Sequence, residues 1–207
     1  RWCRSLSDWQ AGFDDWVYRL EPQEIINLSI FLDFRIVYGD AELTHALRRY
    51  IHTVLLGKPA FFPHFAQGAL SFRPALRLPG NIYVGGGSTE RPGEINLKDA
   101  MMPIVGFARL YAMRHQMSQT HTLERLEVLT ERNIISAASR DEITAVYHFL
   151  MQLRLQNQLA CLQAQKPPQN IIQPGRLTHS QQELLKQAFA QISAMQKKVS
   201  YDFLGGT

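Results

Sequence analysis

Apolar residues recur at intervals of three and four along most of this 207-residue chain, and this spacing is the period of an amphipathic helix. Capping residues and prolines mark where the periodic segments begin and end. Ser136 or Ser139 can begin one helix, Thr178 another, and Asp40 a third that Gly57 ends. The pattern predicts helices over about 7–20, 40–57, 59–72, 98–117, 120–132, 136–161 and 178–203.

Two segments depart from this pattern. Residues 24–37 are apolar almost all round, which predicts burial but does not decide between helix and strand. Residues 75–97 have little helical period and contain several turn signals, which predicts two or three short strands with a mobile tip at Gly85–Gly87. We therefore expect a mainly α-helical bundle with a small β-hairpin insertion around 75–97, as one domain over residues 1–207.

Composition narrows the class of protein. The chain is 45% hydrophobic with a net charge of +4, and its basic residues are not clustered as they are in nucleic-acid-binding proteins. No apolar run is long enough to cross a membrane, so neither a membrane nor a nucleic acid is an expected partner. Two distant cysteines favour a reducing, cytoplasmic location. Because the sequence begins with Arg1, we expect it to be a fragment of a longer protein.

Charged residues interrupt the most apolar segment, in "SIFLDFRIVYGD" at 29–40. Asp33 and Arg35 lie within it, and Asp40 follows at its end. A buried charge is costly unless it is paired, and the planar guanidinium of Arg suits a carboxylate or a phosphate. Two interpretations stay open here. Arg35 could form a structural ion pair with Asp33 or Asp40, or the group could form a charged site for an anion.

Lys98 raises a similar question further along the chain. It lies where a predicted strand passes into a helix, and a cation at a helix start opposes the helix dipole. Such a position favours a local anion, which could be Glu94, Asp99 or a ligand phosphate. Arg109 follows on the same predicted helix, on the side of Met102.

Two more arginines occupy apolar surroundings on later helices. Arg125 lies in "THTLERL" and Arg154 in "YHFLMQLRLQNQ", each beside apolar positions and outside any charge run. Arginines that face the interior from several helices predict either a buried polar network or a groove lined for an anion.

The common catalytic motifs are missing from the sequence. There is no glycine-rich phosphate loop that opens a helix, no His-Glu-x-x-His and no Gly-x-Ser-x-Gly. The seven histidines are scattered, and we expect no metal site in this chain.

Four motifs, in this order, resemble the C-terminal domain of a bacterial family of nucleotidyltransferase-like proteins: "LSIFLDFRIVYGD", "INLKDAMMPIVGFARLYAMRH", "TLERLEVL" and "YHFLMQLRLQNQ". In that family, a cyclic-nucleotide-binding-like region and CBS domains precede a catalytic domain of the DNA polymerase β type, and a helical substrate-binding domain follows. The family is similar to the enzymes that uridylylate the PII signal protein and adenylylate glutamine synthetase. Asn96 stands where those enzymes have an aspartate.

The resemblance implies a non-catalytic accessory role in signal transduction, in which this domain helps close the nucleotide or acceptor site of a catalytic domain elsewhere in the chain. Such catalytic domains carry a Gly-Ser followed by Asp-x-Asp, whose carboxylates hold the metal ions; here the Gly87-Ser88 step is not followed by an Asp-x-Asp. Mg²⁺ with a nucleoside triphosphate, and an acceptor protein, are therefore expectations for the full-length protein.

The resemblance also implies roles for the charged residues. Arg35 and Lys98 would neutralise nucleotide phosphates, while Asp33 and Asp40 would orient Arg35. A second set, possible contacts to the acceptor, is Arg109, Arg125 and Arg154.

A second hypothesis needs no ligand. The apolar seams at 143–157 and 185–199 could continue onto a partner, so that the domain acts as an interaction module or homodimerises. An exposed apolar stripe on the last helix would favour it.

Overall fold

The computed structural model describes residues 3–21, 24, 28, 31–70, 76–77, 81–82 and 93–205. This part of the chain is mainly α-helical, which confirms the predicted fold class. Its α-helices are α1 Leu6–Arg19, α2 Ala41–Leu56, α3 Phe61–Ala69, α4 Leu97–Arg114, α5 Thr122–Glu131, α6 Ala137–Gln163 and α7 His179–Leu204.

Side-chain caps fix most of the helix starts, as their sequences predict. Asp40 caps α2, Ser136 caps α6, and Thr178 begins α7 with a capping box that includes Gln181. The cap of α1 is Ser5, two residues before the predicted Ser7. These bonds are local, which is why the sequence alone locates them.

Thr178→Ala is expected to lower the free energy of unfolding by about 1 kcal/mol, the usual cost of losing an N-cap side chain. The Thr178 hydroxyl accepts a bond from the Gln181 N–H at 3.3 Å, and that N–H loses this partner in the variant. Urea denaturation measures this loss of stability, provided that the slope of the free energy of unfolding against urea concentration is the same in both proteins. Ser180→Ala, in the same first turn but outside the cap, is the control. An equal loss in both variants would contradict a capping role.

Helix α4 runs through the centre of the bundle. It contacts α2, α3, α5, α6 and α7, and most of its side chains are buried. A helix that is apolar nearly all round must be surrounded by other elements to bury its surface. The exposed side chains of α4 therefore stand out, and they are Lys98, Met102 and Arg114.

The seams predicted on α6 and α7 face this core. Ile143, Val146, Leu150 and Leu153 of α6 are buried, as are Leu185, Ala188, Ile192, Met195 and Val199 of α7. Both helices bury these side chains within the chain itself.

The strands form two separate antiparallel pairs. Strand β1 (Leu76–Arg77) pairs with β2 (Asn81–Ile82) inside the predicted hairpin. Strand β3 (Ile95–Asn96) pairs instead with the remote β4 (Ile171–Ile172), a contact that no local turn signal could predict. The glycine tip at 85–87 lies outside the described residues.

The segment predicted to be buried from 24 to 37 is buried only in part. Leu28 and Leu32 lie in the core, but Ile36 is 39% exposed and Val37 86% exposed. The helical turn ends at Phe31, whose ring packs between Trp9 and Trp16 with centroid distances of 4.8 and 5.2 Å. The chain then turns outward, so the prediction of burial is wrong for its last residues. This anchored turn places Asp33 at the edge of the core.

Candidate anion-binding site

Asp33 receives hydrogen bonds from two arginines on different helices. Arg109, near the end of α4, donates from Nη2 to Oδ2, and Arg125, in the first turn of α5, donates from Nη2 to Oδ1 at 2.5 Å. The Arg125 side chain is only 4% exposed and that of Arg109 13%, whereas Asp33 is 30% exposed. The carboxylate therefore lies at the open side of a buried pair of guanidinium groups.

The loop between α4 and α5 holds Arg125 in place. Its Nε donates to the backbone carbonyl of Gln119 at 2.8 Å. A guanidinium that is bonded at Nε and at one Nη has a fixed plane, because its N–H groups form a rigid fork. Arg125 is thus oriented before any ligand arrives.

Arg48 of α2 is the third arginine of this group. It donates from Nη2 to the Phe34 carbonyl at 2.7 Å and from Nη1 to the Ser118 carbonyl at 3.0 Å, and it lies over the Phe34 ring at 4.8 Å. A cavity of about 10 Å³, enough for one water molecule, is lined by both Arg48 and Arg125. We call Asp33, Arg48, Arg109 and Arg125 the arginine cluster.

The sequence analysis does not single out Arg48, because an adjacent Arg48–Arg49 pair is typical of a solvated helix face. Arg49 does lie on the surface, where it pairs with Glu42 at 3.5 Å. A signal was available: Arg48 precedes the buried Ile51 by three residues and Leu55 by seven, which places all three on one face of α2.

One carboxylate does not balance three guanidinium groups. Burial lowers the pKa of Arg125, and the charge of Arg109 lowers it further, while the bond and charge of Asp33 act in the opposite direction. Burial also lowers the pKa of Arg48, with the charge of Arg125 adding to the effect and that of Asp33 opposing it. The guanidinium group of arginine nevertheless stays charged in folded proteins. The cluster therefore has an excess of positive charge in a place poorly reached by water.

Two buried atoms beside the cluster lack hydrogen-bond partners. The Nε of Arg109 has no acceptor and the Oε1 of Gln119 has no donor within the described ranges. Buried polar atoms are nearly always satisfied in folded proteins, so each exception needs an explanation. An anion close to Arg109 would supply the missing acceptor.

Arg35 and Asp40 do not take part in the cluster. Arg35 is exposed, and no described carboxylate lies within ion-pairing distance of it. Neither the Arg35–Asp33 nor the Arg35–Asp40 pair is found: Asp33 is committed to Arg109 and Arg125, and Asp40 accepts the Glu42 N–H at 2.9 Å as the cap of α2.

Lys98 lies on the same side of α4 as Arg109. Eleven residues separate them, which is close to three full turns and about 16 Å along the axis. Lys98 is exposed, and neither Glu94 nor Asp99 forms an ion pair with it in the described structure. Asn96 caps this helix, with its Oδ1 accepting the Lys98 N–H at 3.0 Å.

Arg154 belongs to a different network. Its Nε donates to the side-chain oxygen of Asn170 at 2.8 Å, and Gln158 donates to the same atom at 3.0 Å. Asn157 binds the neighbouring backbone carbonyls of Gln169 and Ile171. These bonds fix the connection that leads into β4, so the structure separates Arg154 from Arg109 and Arg125.

The described part of the chain has neither a metal-binding cluster nor a membrane-spanning helix. Among those residues, no group of three His, Cys, Asp or Glu side chains is arranged to hold a metal ion. None of the described helices has both the length and the apolar character needed to cross a bilayer.

Comparison with known proteins identifies one family. Residues 59–203, more than two-thirds of the chain, match the family described as "putative nucleotidyltransferase substrate binding domain". No curated protein and no solved structure matches the chain. The matched range includes α4 and α5 with Arg109 and Arg125, and it begins after Asp33 and Arg48. The chain therefore belongs to the family of putative nucleotidyltransferase substrate-binding domains.

Proposed function

We propose that this domain binds an anionic substrate for an associated nucleotidyltransferase and is not catalytic by itself. The observation that carries the proposal is the arginine cluster, in which Arg109 and Arg125 share the partly buried carboxylate of Asp33 and Arg48 binds the adjacent Phe34 carbonyl. A substrate of nucleotidyl transfer carries phosphate groups, and arginine is the side chain best suited to bind them.

Each member of the cluster has a distinct role in this proposal. Arg109 and Arg125 donate N–H groups to a phosphate, and Arg48 adds its positive charge to theirs. Asp33 holds the two donors in place. Lys98, at the other end of the same side of α4, provides a second cation for an extended substrate such as a nucleotide.

The catalytic part of the reaction belongs elsewhere in this proposal. A polymerase-β-type nucleotidyltransferase region would supply the carboxylates that bind Mg²⁺ with a nucleoside triphosphate, and an acceptor protein would receive the nucleotide. Arg35 is exposed only two residues from Asp33, so it is available to such a region at the edge of the site.

Calorimetric titration of the chain with Mg-ATP and Mg-UTP tests the proposal. Arg109→Lys is expected to weaken binding by about tenfold or more, because the ammonium group retains the charge but loses the planar fork. Arg49→Lys, on the surface beside the cluster, is the matched control. Equal affinity in the parent and the Arg109→Lys variant would contradict this site, and no binding by the folded chain would contradict nucleotide binding by this domain alone.

One observation favours the second candidate, a homodimer. The outer side of α6 has exposed apolar side chains four and three residues apart: Met151, Leu155, Leu159 and Leu162. No charged residue lies between 155 and 165, so two copies can meet there without charge repulsion. Sedimentation of the parent and of Leu159→Glu tests this candidate. A monomeric parent at high concentration would exclude it.

A further inference from the structure

We infer that the arginine cluster selects a dianionic phosphate group, such as a phosphomonoester or the terminal phosphate of a nucleotide, over a monoanionic phosphodiester. This inference rests on the proposed anion-binding function and specifies the class of group that is bound.

The charge balance of the cluster is the first argument. Arg48, Arg109 and Arg125 contribute three positive charges, and Asp33 contributes one negative charge, which leaves two positive charges without a counterion among the residues that the structure describes. His52 faces the same small cavity, but burial and the charge of Arg48 lower its pKa, so it stays neutral near pH 7. A dianion neutralises the cluster, whereas a monoanion leaves one uncompensated charge beside the nearly buried Arg125.

The unused hydrogen-bond donors are the second argument. Arg109 makes a single bond, from Nη2 to Asp33, and its buried Nε has no acceptor in the described structure. Arg125 uses Nε and one Nη, so its other Nη remains without a described partner. A terminal phosphate offers three oxygen atoms to these donors, and a diester offers only two that are unsubstituted.

Neighbouring groups do not change this balance. Arg48 binds only the backbone carbonyls of Phe34 and Ser118, which have no net charge. Among the described residues, Asp33 is the carboxylate within ion-pairing distance of Arg109 and Arg125. No further carboxylate of the described residues supplies the missing negative charge, and a ligand or solvent ions can provide it.

Methyl phosphate and dimethyl phosphate separate the two classes of ligand. They share a tetrahedral phosphorus centre, but at about pH 7.5 methyl phosphate is mostly a dianion, because its second pKa is about 6, and dimethyl phosphate is a monoanion. Affinities are measured by calorimetry at constant ionic strength. We expect methyl phosphate to bind about tenfold more tightly or better, because the second charge interacts with a cluster that is shielded from water.

The variants distinguish the possible outcomes. Methyl phosphate binding that weakens about tenfold in Arg109→Lys, but not in Arg49→Lys, supports the inference. Equal affinities for the two esters, both dependent on Arg109, would overturn the dianion selectivity and leave the proposed anion site intact. Methyl phosphate binding that is absent, or indifferent to Arg109→Lys, would overturn the inference, and the nucleotide titration would then judge the proposed function separately.

Discussion

Asp33→Asn is expected to lower the free energy of unfolding by about 2 to 4 kcal/mol, although it only replaces one carboxylate oxygen with an amide nitrogen. The substitution removes the single negative charge that faces Arg109 and Arg125 and leaves both guanidinium groups inside the protein. Breaking a buried ion pair on one side is costly because the remaining charge is uncompensated. The 30% exposure of Asp33 keeps the loss toward the lower part of that range.

An added anion is expected to restore much of this stability. Sulfate offers two charges and several oxygen atoms to the guanidinium groups that the neutral amide leaves uncompensated, whereas chloride offers one charge and no set of oxygen atoms. Urea denaturation in sulfate and in chloride, at equal ionic strength, measures the difference. Sulfate also stabilises proteins in general by exclusion from their surface, so the informative quantity is the gain in Asp33→Asn beyond the gain in the parent.

Asp40→Asn is the matched control. Asp40 is exposed and caps α2, and asparagine caps a helix nearly as well as aspartate. We expect a small loss of stability and no specific response to sulfate. If Asp33→Asn behaves like Asp40→Asn in both measurements, the arginine cluster holds no uncompensated charge and the proposed site fails.

The fold was predictable from the sequence to the extent that its signals are local. Caps such as Asp40 and Thr178 act within one turn, and the seam of α7 repeats every three or four residues, so both can be found without tertiary information. The pairing of β3 with β4 depends on residues more than seventy positions apart, and nothing in either dipeptide specifies the other.

The candidate site was likewise predictable where its signals are local and unpredictable where it depends on long-range pairing. The sequence identified Asp33 as a charge inside an apolar segment, and it identified Arg109 and Arg125 as arginines in apolar surroundings. It assigned Asp33 to the nearby Arg35, whereas the structure pairs it with residues 76 and 92 positions away. A side chain two positions from Asp33 is close in sequence, but the turn after Phe31 directs Arg35 outward into solvent.

The position of Asp33 has a consequence for the stability of the whole bundle. The turn that carries it is anchored on one side by the aromatic rings of α1, and on the other it binds α4 and α5 through the carboxylate. Arg48 of α2 adds a bond to the carbonyl of Phe34, the residue after Asp33. The guanidinium groups of three helices are therefore held together by one short segment, and an anion bound by the cluster would strengthen the same connection.

Tyr111→Phe is expected to lower the free energy of unfolding by about 1.5 to 3 kcal/mol near pH 7, the usual value of a hydrogen bond to a charged group. The Tyr111 side chain is almost fully buried on α4, and its hydroxyl donates to Asp202 of α7. Lys198 binds the same carboxylate at 2.9 Å and would remain as its only described partner in the variant. The substitution thus weakens the polar connection between the central helix and the last helix.

The pH dependence of this loss identifies its cause. Burial raises the pKa of Tyr111 well above its ordinary value, and the bond to Asp202 and its negative charge raise it further. A raised pKa stabilises the folded protein below the unfolded pKa of about 10, and this stabilisation is lost as the pH rises above it. Above about pH 10, the parent should lose about 1.4 kcal/mol per pH unit relative to Tyr111→Phe, which has no phenol to ionise.

Urea denaturation of both proteins between about pH 7 and pH 11 measures the difference in their free energies of unfolding. This difference should narrow as the pH rises, because the other titrating groups are common to parent and variant. Tyr201→Phe is the control, since Tyr201 lies next to Asp202 on α7 but its side chain is exposed to water. A constant difference between parent and Tyr111→Phe across this range would show that the phenol ionises as readily in the folded as in the unfolded chain. The contribution of Tyr111 to the α4–α7 contact would then come from packing of its ring against Phe203 and not from the bond to Asp202.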